Sequence, residues 1–442
     1  MQNGGWPVAV SMIIPLLALF AFTPCVQEPE AISQEAFVSW VEKAAIPVED
    51  WQMNPELESY LEKAIKGKSI VFLGEASHFF HERREVQLLI IRYFVTKGYR
   101  HIFLEGLGAS TAPTMDHFLQ TGKGPSPKEK SGGKDLGNRY QEKAFENWVG
   151  AKGSVFKERV SADRVRFFDA LRAINLSLPK DSPRLRIHPL DIDMAPGGCY
   201  SSIETVLAKY ADDAKLNGIR QQLPKVEGET IKEEIKRLES LRRAVAENTD
   251  GALNGVSKAD RQELEKFADC LVETIVFFQT AREDGELNRA LIRRETAMYR
   301  QVQFALDGLP ENGKAIMIGH NNHLCRDGED IPRARNPSIG QMVETANPGQ
   351  VFSIWTLYDH GWLLNPMAKD PIEEVPCNPD RVESVLAKAG DLYLLPIGSG
   401  QAGEQYLSQP RLHSYFSWSE TATLNRQTDA IFFVAEISPL QK

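Results

Sequence analysis

A chain of 442 residues, 42% of them apolar, can bury a large core and exceeds the roughly 150-residue norm for one domain, so a big domain with an insertion is expected. That composition is globular and excludes a disordered chain. Sixty acidic against 51 basic residues give a net charge of −9, which argues against a nucleic-acid partner, because phosphate binding needs a concentrated basic face.

The first element is the run 8–22, apolar except for Ser11 and Pro15. Its length suits a signal-peptide core rather than a membrane span, although no Lys or Arg precedes it. Residues 1–25 are therefore expected to be a signal peptide or lipoprotein signal. The mature protein would be exported, periplasmic or lipid-anchored to the bacterial envelope, with any membrane attachment confined to the N-terminus; a single anchor helix is the alternative. Cys25 stands where a lipidated cysteine would, but Phe22, Thr23 and Pro24 make a poor lipobox. The other cysteines, Cys199, Cys270, Cys325 and Cys377, show no CxxC spacing, so neither a zinc ribbon nor a thioredoxin-type motif is supported. Export would permit a disulfide, and the sequence does not choose a pair.

Short β-branched-rich runs then alternate with long helical patterns, which predicts an α/β fold: an open, mostly parallel sheet with helices on both faces. The predicted strands are 69–73, 101–104, 185–190, 315–318, 351–357, 391–395 and 430–437. Between the first two, Val86, Leu89, Ile90, Tyr93 and Phe94 fall at helical spacing, and Gly98 supplies a C′ stop. The stretch 121–139, rich in Gly, Lys, Ser and Pro, reads as a surface loop. Residues 201–306 read as an inserted, strongly charged helical subdomain whose apolar positions, such as Leu271, Ile275 and Phe278, are core.

In open α/β sheets, ligands lie beyond the carboxyl ends of the strands. Those ends carry Glu75 and His78 after the first predicted strand, Glu105 after the second, Asp191 after the third, and His320 and His323 after the fourth. Each has an ordinary reading taken singly, Glu75 as a helix cap and His78 as a loop residue. Yet three of the nine histidines fall in two short strand-end segments, and that convergence favours a site. Imidazole can take a proton from water near neutrality, and a neighbouring carboxylate fixes its tautomer.

The run Val71-Phe72-Leu73-Gly74-Glu75-Ala76-Ser77-His78, with Glu82, Gly98-Tyr99 and Ile102-Phe103-Leu104-Glu105, resembles the opening signature of the erythromycin esterase family. Pro189-Leu190-Asp191, Arg294-Glu295 with Met298, and Gly319-His320-Asn321-Asn322-His323 resemble later motifs, so the likeness runs from about residue 34 to 440. The resemblance implies an ester or lactone hydrolase, macrolide inactivation and hence antibiotic resistance included, whose partner is a small-molecule ester or lactone. Carried onto this chain, it makes His78 the general base, Glu75 and Glu105 the groups that orient it and the water, and His320 and His323 the pair that binds and polarises the carbonyl. Asp191, Arg294 and Arg84 are the expected substrate-binding residues. The family places an Arg where this chain has Gln87, one helical turn after Arg83, which leaves substrate identity open.

The rival chemistries differ in their requirements. There is no Gly-x-Ser-x-Gly elbow, so a serine nucleophile is not expected. No cofactor is expected, although His78, Glu105, His320 and His323 are competent ligands and a metal-dependent hydrolase at the same site is the first alternative. A non-catalytic exported haem- or metal-binding protein is the second. Two acids beside His78 favour proton transfer over a haem clamp. Some similar sequences are called succinoglycan biosynthesis proteins, a label that says little about the reaction.

Overall fold

The computed structural model describes residues 32–122, 154–193, 196–223, 228–366, 371–398 and 403–441. The apolar run 8–22, Cys25 and most of the predicted loop 121–139 lie outside the described residues. Residue 121 itself closes a helix, Ala112–Thr121, that the sequence did not announce.

The sheet is built from β1 (Ile46–Pro47), β2 (Ile70–Glu75), β3 (Tyr99–Leu104), β4 (Arg186–Pro189), β5 (Lys314–His320), β6 (Val351–Leu364), β7 (Ile372–Val375), β8 (Leu392–Pro396) and β11 (Ala430–Ile437). Strands β9 (Arg411–Tyr415) and β10 (Trp418–Ala422) form a separate hairpin. The order across the large sheet is β1-β8-β11-β6-β2-β5-β3-β4, with β7 paired to the far end of β6. The stretch from β11 to β4 is parallel; β8, β1 and β7 pair antiparallel. The fold is α/β with an open, mostly parallel sheet, and each predicted strand is present.

Both faces of this sheet are covered, and the period-two alternation of β2 shows how. Val71 and Leu73 belong to the apolar core shared with helix Glu82–Thr96, whereas Ile70 and Phe72 belong to the one shared with helices Leu287–Leu306 and Ile339–Ala346. Helix Glu82–Thr96 buries Leu88, Leu89, Ile90 and Ile91 in succession and ends at Gly98, whose φ of 90° suits the C′ position. From residue 196 to 306 the described chain forms helices with no strand among them, and Ile203, Leu238, Leu264 and Leu271 share a core of their own.

The crossover from β2 to β3 leaves room for β5 between them. Strands β2 and β5 therefore lie side by side at the centre, in a register that sets Glu75 opposite His320. The central carboxyl edge thus carries the ionisable residues, and the position is one where an open α/β sheet exposes a crevice.

Candidate active site

The chain bends as it leaves β2, and within the strand Gly74 lets its neighbours approach closely. A Cβ there would stand 2.3 Å from Asn321 Oδ1 and 2.9 Å from the Trp355 ring, so backbone from β2 and side chains from β6 and the β5 end meet with no space between them. Gly74→Ala is expected to lower stability by about 1–3 kcal/mol through overpacking, read as a lower thermal midpoint; an unchanged midpoint would show that Asn321 moves aside freely.

The turn brings His78 back over the strand end. His78 Nδ1 lies 2.6 Å from Glu75 Oε1. Glu75 is buried, which opposes its charge, but Arg83 and His78 outweigh burial and hold its pKa down to about 2. A carboxylate only accepts hydrogen bonds, so the proton is on Nδ1 and Nε2 is left as the nitrogen that exchanges protons. Nε2 faces Glu105 Oε1 at 3.4 Å, and the His78 side chain keeps 28% of its surface in contact with solvent.

Behind Glu75 stands a second layer from helix Glu82–Thr96. Glu75 Oε2 accepts from Gln87 Nε2 at 2.7 Å and from Arg83 Nη1 at 3.3 Å. Arg83 Nη2 also donates to Asp163 at 2.7 Å, and Arg84 donates to Asp163 at 3.1 Å and to Gln87 Oε1 at 2.7 Å. Gln87 thus passes the pull of Arg84 to Glu75 at the position where the family resemblance expects an Arg. Arg84, expected to bind substrate, is engaged by Asp163 and Gln87 and packs on the Phe167 ring at 4.1 Å. Arg83→Met should cost about 3–5 kcal/mol, because it leaves Glu75 and Asp163 buried without their shared cation. Urea denaturation would check this; a loss under about 1 kcal/mol, the range of a surface pair, would refute it.

Opposite His78, Glu105 folds back over the end of β5. Its Oε2 accepts His320 N–H at 2.5 Å, and Gly319 leaves it space, since a Cβ there would lie 2.9 Å from that oxygen. Its Oε1 lies 3.1 Å from His323 Nε2, and His323 Nδ1 is held by Glu295 from helix Leu287–Leu306. Glu295 also accepts Ile339 N–H at 3.0 Å. Burial disfavours charge on both imidazoles, but Glu105 with Glu75 raises His78 to about 9, and Glu105 with Glu295 raises His323 to about 10. The same contacts overcome burial at Glu105 and hold its carboxyl well below the usual range.

His320, expected to bind and polarise the carbonyl with His323, makes different contacts. Its Nε2 donates to Ala76 O at 3.0 Å and its Nδ1 accepts Asn322 N–H at 3.2 Å, so backbone occupies both ring nitrogens. Burial and the neighbouring His78 push its pKa down to about 3. His320 is a neutral spacer that caps the turn Asn321–Leu324, and that turn delivers His323. Asp191 is also committed, accepting Arg294 Nε at 3.0 Å and Gly106 N–H at 3.3 Å. Arg294 Nη2 lies 4.0 Å from Glu105 Oε1. Glu295 is a site residue that the sequence reading missed, although it stood in plain view inside the Arg294-Glu295 motif; Gln87 was noted there only as a departure from the family pattern.

Ser77 is fully buried and its Oγ accepts Phe79 N–H at 3.3 Å, which places it out of reach as a nucleophile. Among the described residues, the His, Cys, Asp and Glu groups whose donor atoms all fall within 4.8 Å of one another are Asp193, Cys199 and Cys270. There Cys199 donates to Asp193 Oδ2 at 2.9 Å and Asp193 N–H donates to Cys270 Sγ at 3.3 Å, so the protons of the cluster are shared internally. Beside His78, Glu105 Oε1 lies 3.4 Å from His78 Nε2 and 3.1 Å from His323 Nε2. No described helix is long and apolar enough to cross a membrane.

The central carboxyl edge of the α/β sheet thus gathers His78, Glu75, Glu105, His323 and Arg294 in one place. A sequence profile described as erythromycin esterase matches residues 95–437, and the chain belongs to that family. The match starts within helix Glu82–Thr96, after Glu75 and His78. This makes the protein a hydrolase of the erythromycin esterase family. Curated protein sequences yield no match. Solved structures do: a Bacillus cereus protein is similar at 19% identity and TM-score 0.73, with 93% of this chain and 100% of that one covered. A succinoglycan biosynthesis protein is similar at 18% identity and TM-score 0.65, over 92% and 98% of the two chains. A mutant of the erythromycin esterase EreC in its open conformation is similar at 15% identity and TM-score 0.62, over 88% and 96%. At these identities the likeness is one of fold.

Proposed function

We propose that the protein hydrolyses a carboxylic ester or lactone with a water molecule activated at His78 Nε2. The observation that carries this reading is the Glu75–His78 contact of 2.6 Å, which fixes the tautomer and leaves Nε2 turned toward the crevice. Neutral His78 takes a proton from water as the oxygen attacks the carbonyl carbon. Charge that moves onto the carbonyl oxygen is met by the field of the two cations beside Glu105, His323 and Arg294. Collapse of the tetrahedral intermediate breaks the bond to the alcohol oxygen, which leaves with the proton held on His78 Nε2, and the acid product remains. Glu75 stays ionised throughout and stabilises the imidazolium.

A macrocyclic lactone falls within this substrate class, and macrolide inactivation is the use proposed for it. The test is turnover of purified protein on simple esters and on erythromycin, with and without a chelator. Turnover that survives chelation supports direct water activation. Turnover abolished by chelation and restored by a divalent ion would assign the same groups to a metal instead. Failure with every ester and lactone would remove the proposal, and a Soret band on the purified protein would then point to haem binding.

A further inference from the structure

The β9–β10 hairpin lies across the mouth of the site, and its turn holds a conformation that side chains avoid. Phe416 has φ 51°, in the left-handed region, where a bulky residue persists only if its surroundings impose it. Two hydrogen bonds do so: Phe416 N–H donates to Ala76 O at 3.1 Å, and the Tyr358 hydroxyl donates to Phe416 O at 2.6 Å. The Ala76 carbonyl also accepts His320 Nε2–H, so the hairpin turn, His320 and the loop bearing Glu75 and His78 hang from one oxygen.

The ring goes where this suspension puts it. Phe416 stacks on His320 with centroids 5.2 Å apart and planes 17° from parallel, and meets His78 edge-on at 6.2 Å. The aromatic surface continues outward to Trp418, 5.5 Å from Phe416 and 39% exposed, with the Arg333 guanidinium 5.3 Å from the Trp418 ring. A Gly or Asn would make this turn without strain. The ring also packs 6.1 Å from Phe79 and the apolar cluster around it, yet it stays only partly buried, so an aromatic side chain kept there at a conformational cost against the two imidazoles leaves apolar surface beside His78.

We propose that Phe416 and Trp418 form an apolar shelf that seats the acyl chain of the substrate beside His78 and sets its length preference. This rests on the ester-hydrolase reading, which it deepens. Seating apolar carbons there removes them from water and fixes the carbonyl beside Nε2, so each added methylene strengthens binding until the shelf is covered.

The experiment is kcat/KM for p-nitrophenyl esters from acetyl to octanoyl, with wild type, Phe416→Asn, Phe416→Tyr and Trp418→Ala, each shown folded by its thermal transition. The octanoyl-to-acetyl ratio should fall about tenfold in Phe416→Asn, mainly through KM. Phe416→Tyr should restore it, and Trp418→Ala should lower it for the longer chains. A ratio unchanged in folded Phe416→Asn, or a loss equal for every chain length, overturns the shelf and leaves Phe416 as a structural residue. If wild type cleaves no ester, the hydrolase reading fails separately, and the shelf is judged by titration with octanamide followed through Trp418 emission, taken as the difference from Trp418→Phe. Saturable binding weakened about tenfold by Phe416→Asn supports the shelf; no saturable change overturns it.

Discussion

Replacing His78 with Ala should lower kcat/KM for ester hydrolysis by about 10²- to 10⁴-fold, the usual worth of a general base, while the protein keeps its cooperative thermal transition. The two halves of this expectation come from different contacts. Catalysis depends on Nε2, which has no substitute at that position: His320 has both nitrogens bound to backbone, and His323 is held from both sides by Glu105 and Glu295. Folding does not depend on it, because Glu75 retains Arg83 and Gln87, and Glu105 retains His323 and the His320 N–H. Steady-state kinetics beside a melting curve would check it. Parallel loss of activity and of the folded state would mean that His78 holds the loop together.

Glu105→Gln should move the pH dependence of the reaction. His78 is useful as a base only when neutral, and its pKa is raised to about 9. Activity is therefore expected to climb as pH rises toward 9 and then level off, since the protonated form dominates below that value. Glu105 is the strongest of the contacts that raise His78 against burial. Gln keeps the shape and removes the negative charge, so His78 returns toward its ordinary value and the rising limb moves to lower pH by about 1–3 units. The variant should compare best with wild type near neutrality and worst in alkali. A limb that stays in place would show that Glu105 does not set the proton affinity of the base.

The sequence carried the main lines of this architecture because the signals were local. A β-branched run followed by Gly and an ionisable residue marks a strand and its carboxyl end together, so β2 and β5 announced both the sheet and Glu75 and His320, while in β3 Glu105 follows the apolar run directly. What stayed hidden depends on distance along the chain. Glu295 reaches His323 across 28 residues and Asp163 reaches Arg83 across 80, and no periodicity records such meetings. The surroundings of His320 stayed hidden for a related reason: only the folded chain shows that Ala76 O and Asn322 N–H engage its nitrogens. Strands β9 and β10 escaped because their alternation is weak, with His413 and Ser414 buried as adjacent polar residues. Phe416 is invisible as a special residue until its φ is known.

The central claim is that His78 Nε2 is the base, and the most direct measurement is its own titration compared with that of the reaction. Histidine-selective NMR on wild type, with His78 assigned by the signal missing from His78→Gln, gives its pKa, and kcat/KM for an ester across pH gives the kinetic one. The two should coincide near 9 in wild type and move together in Glu105→Gln. A kinetic pKa that departs from that of His78, or that remains when His78 is shifted, would contradict the assignment and place the reactive proton elsewhere.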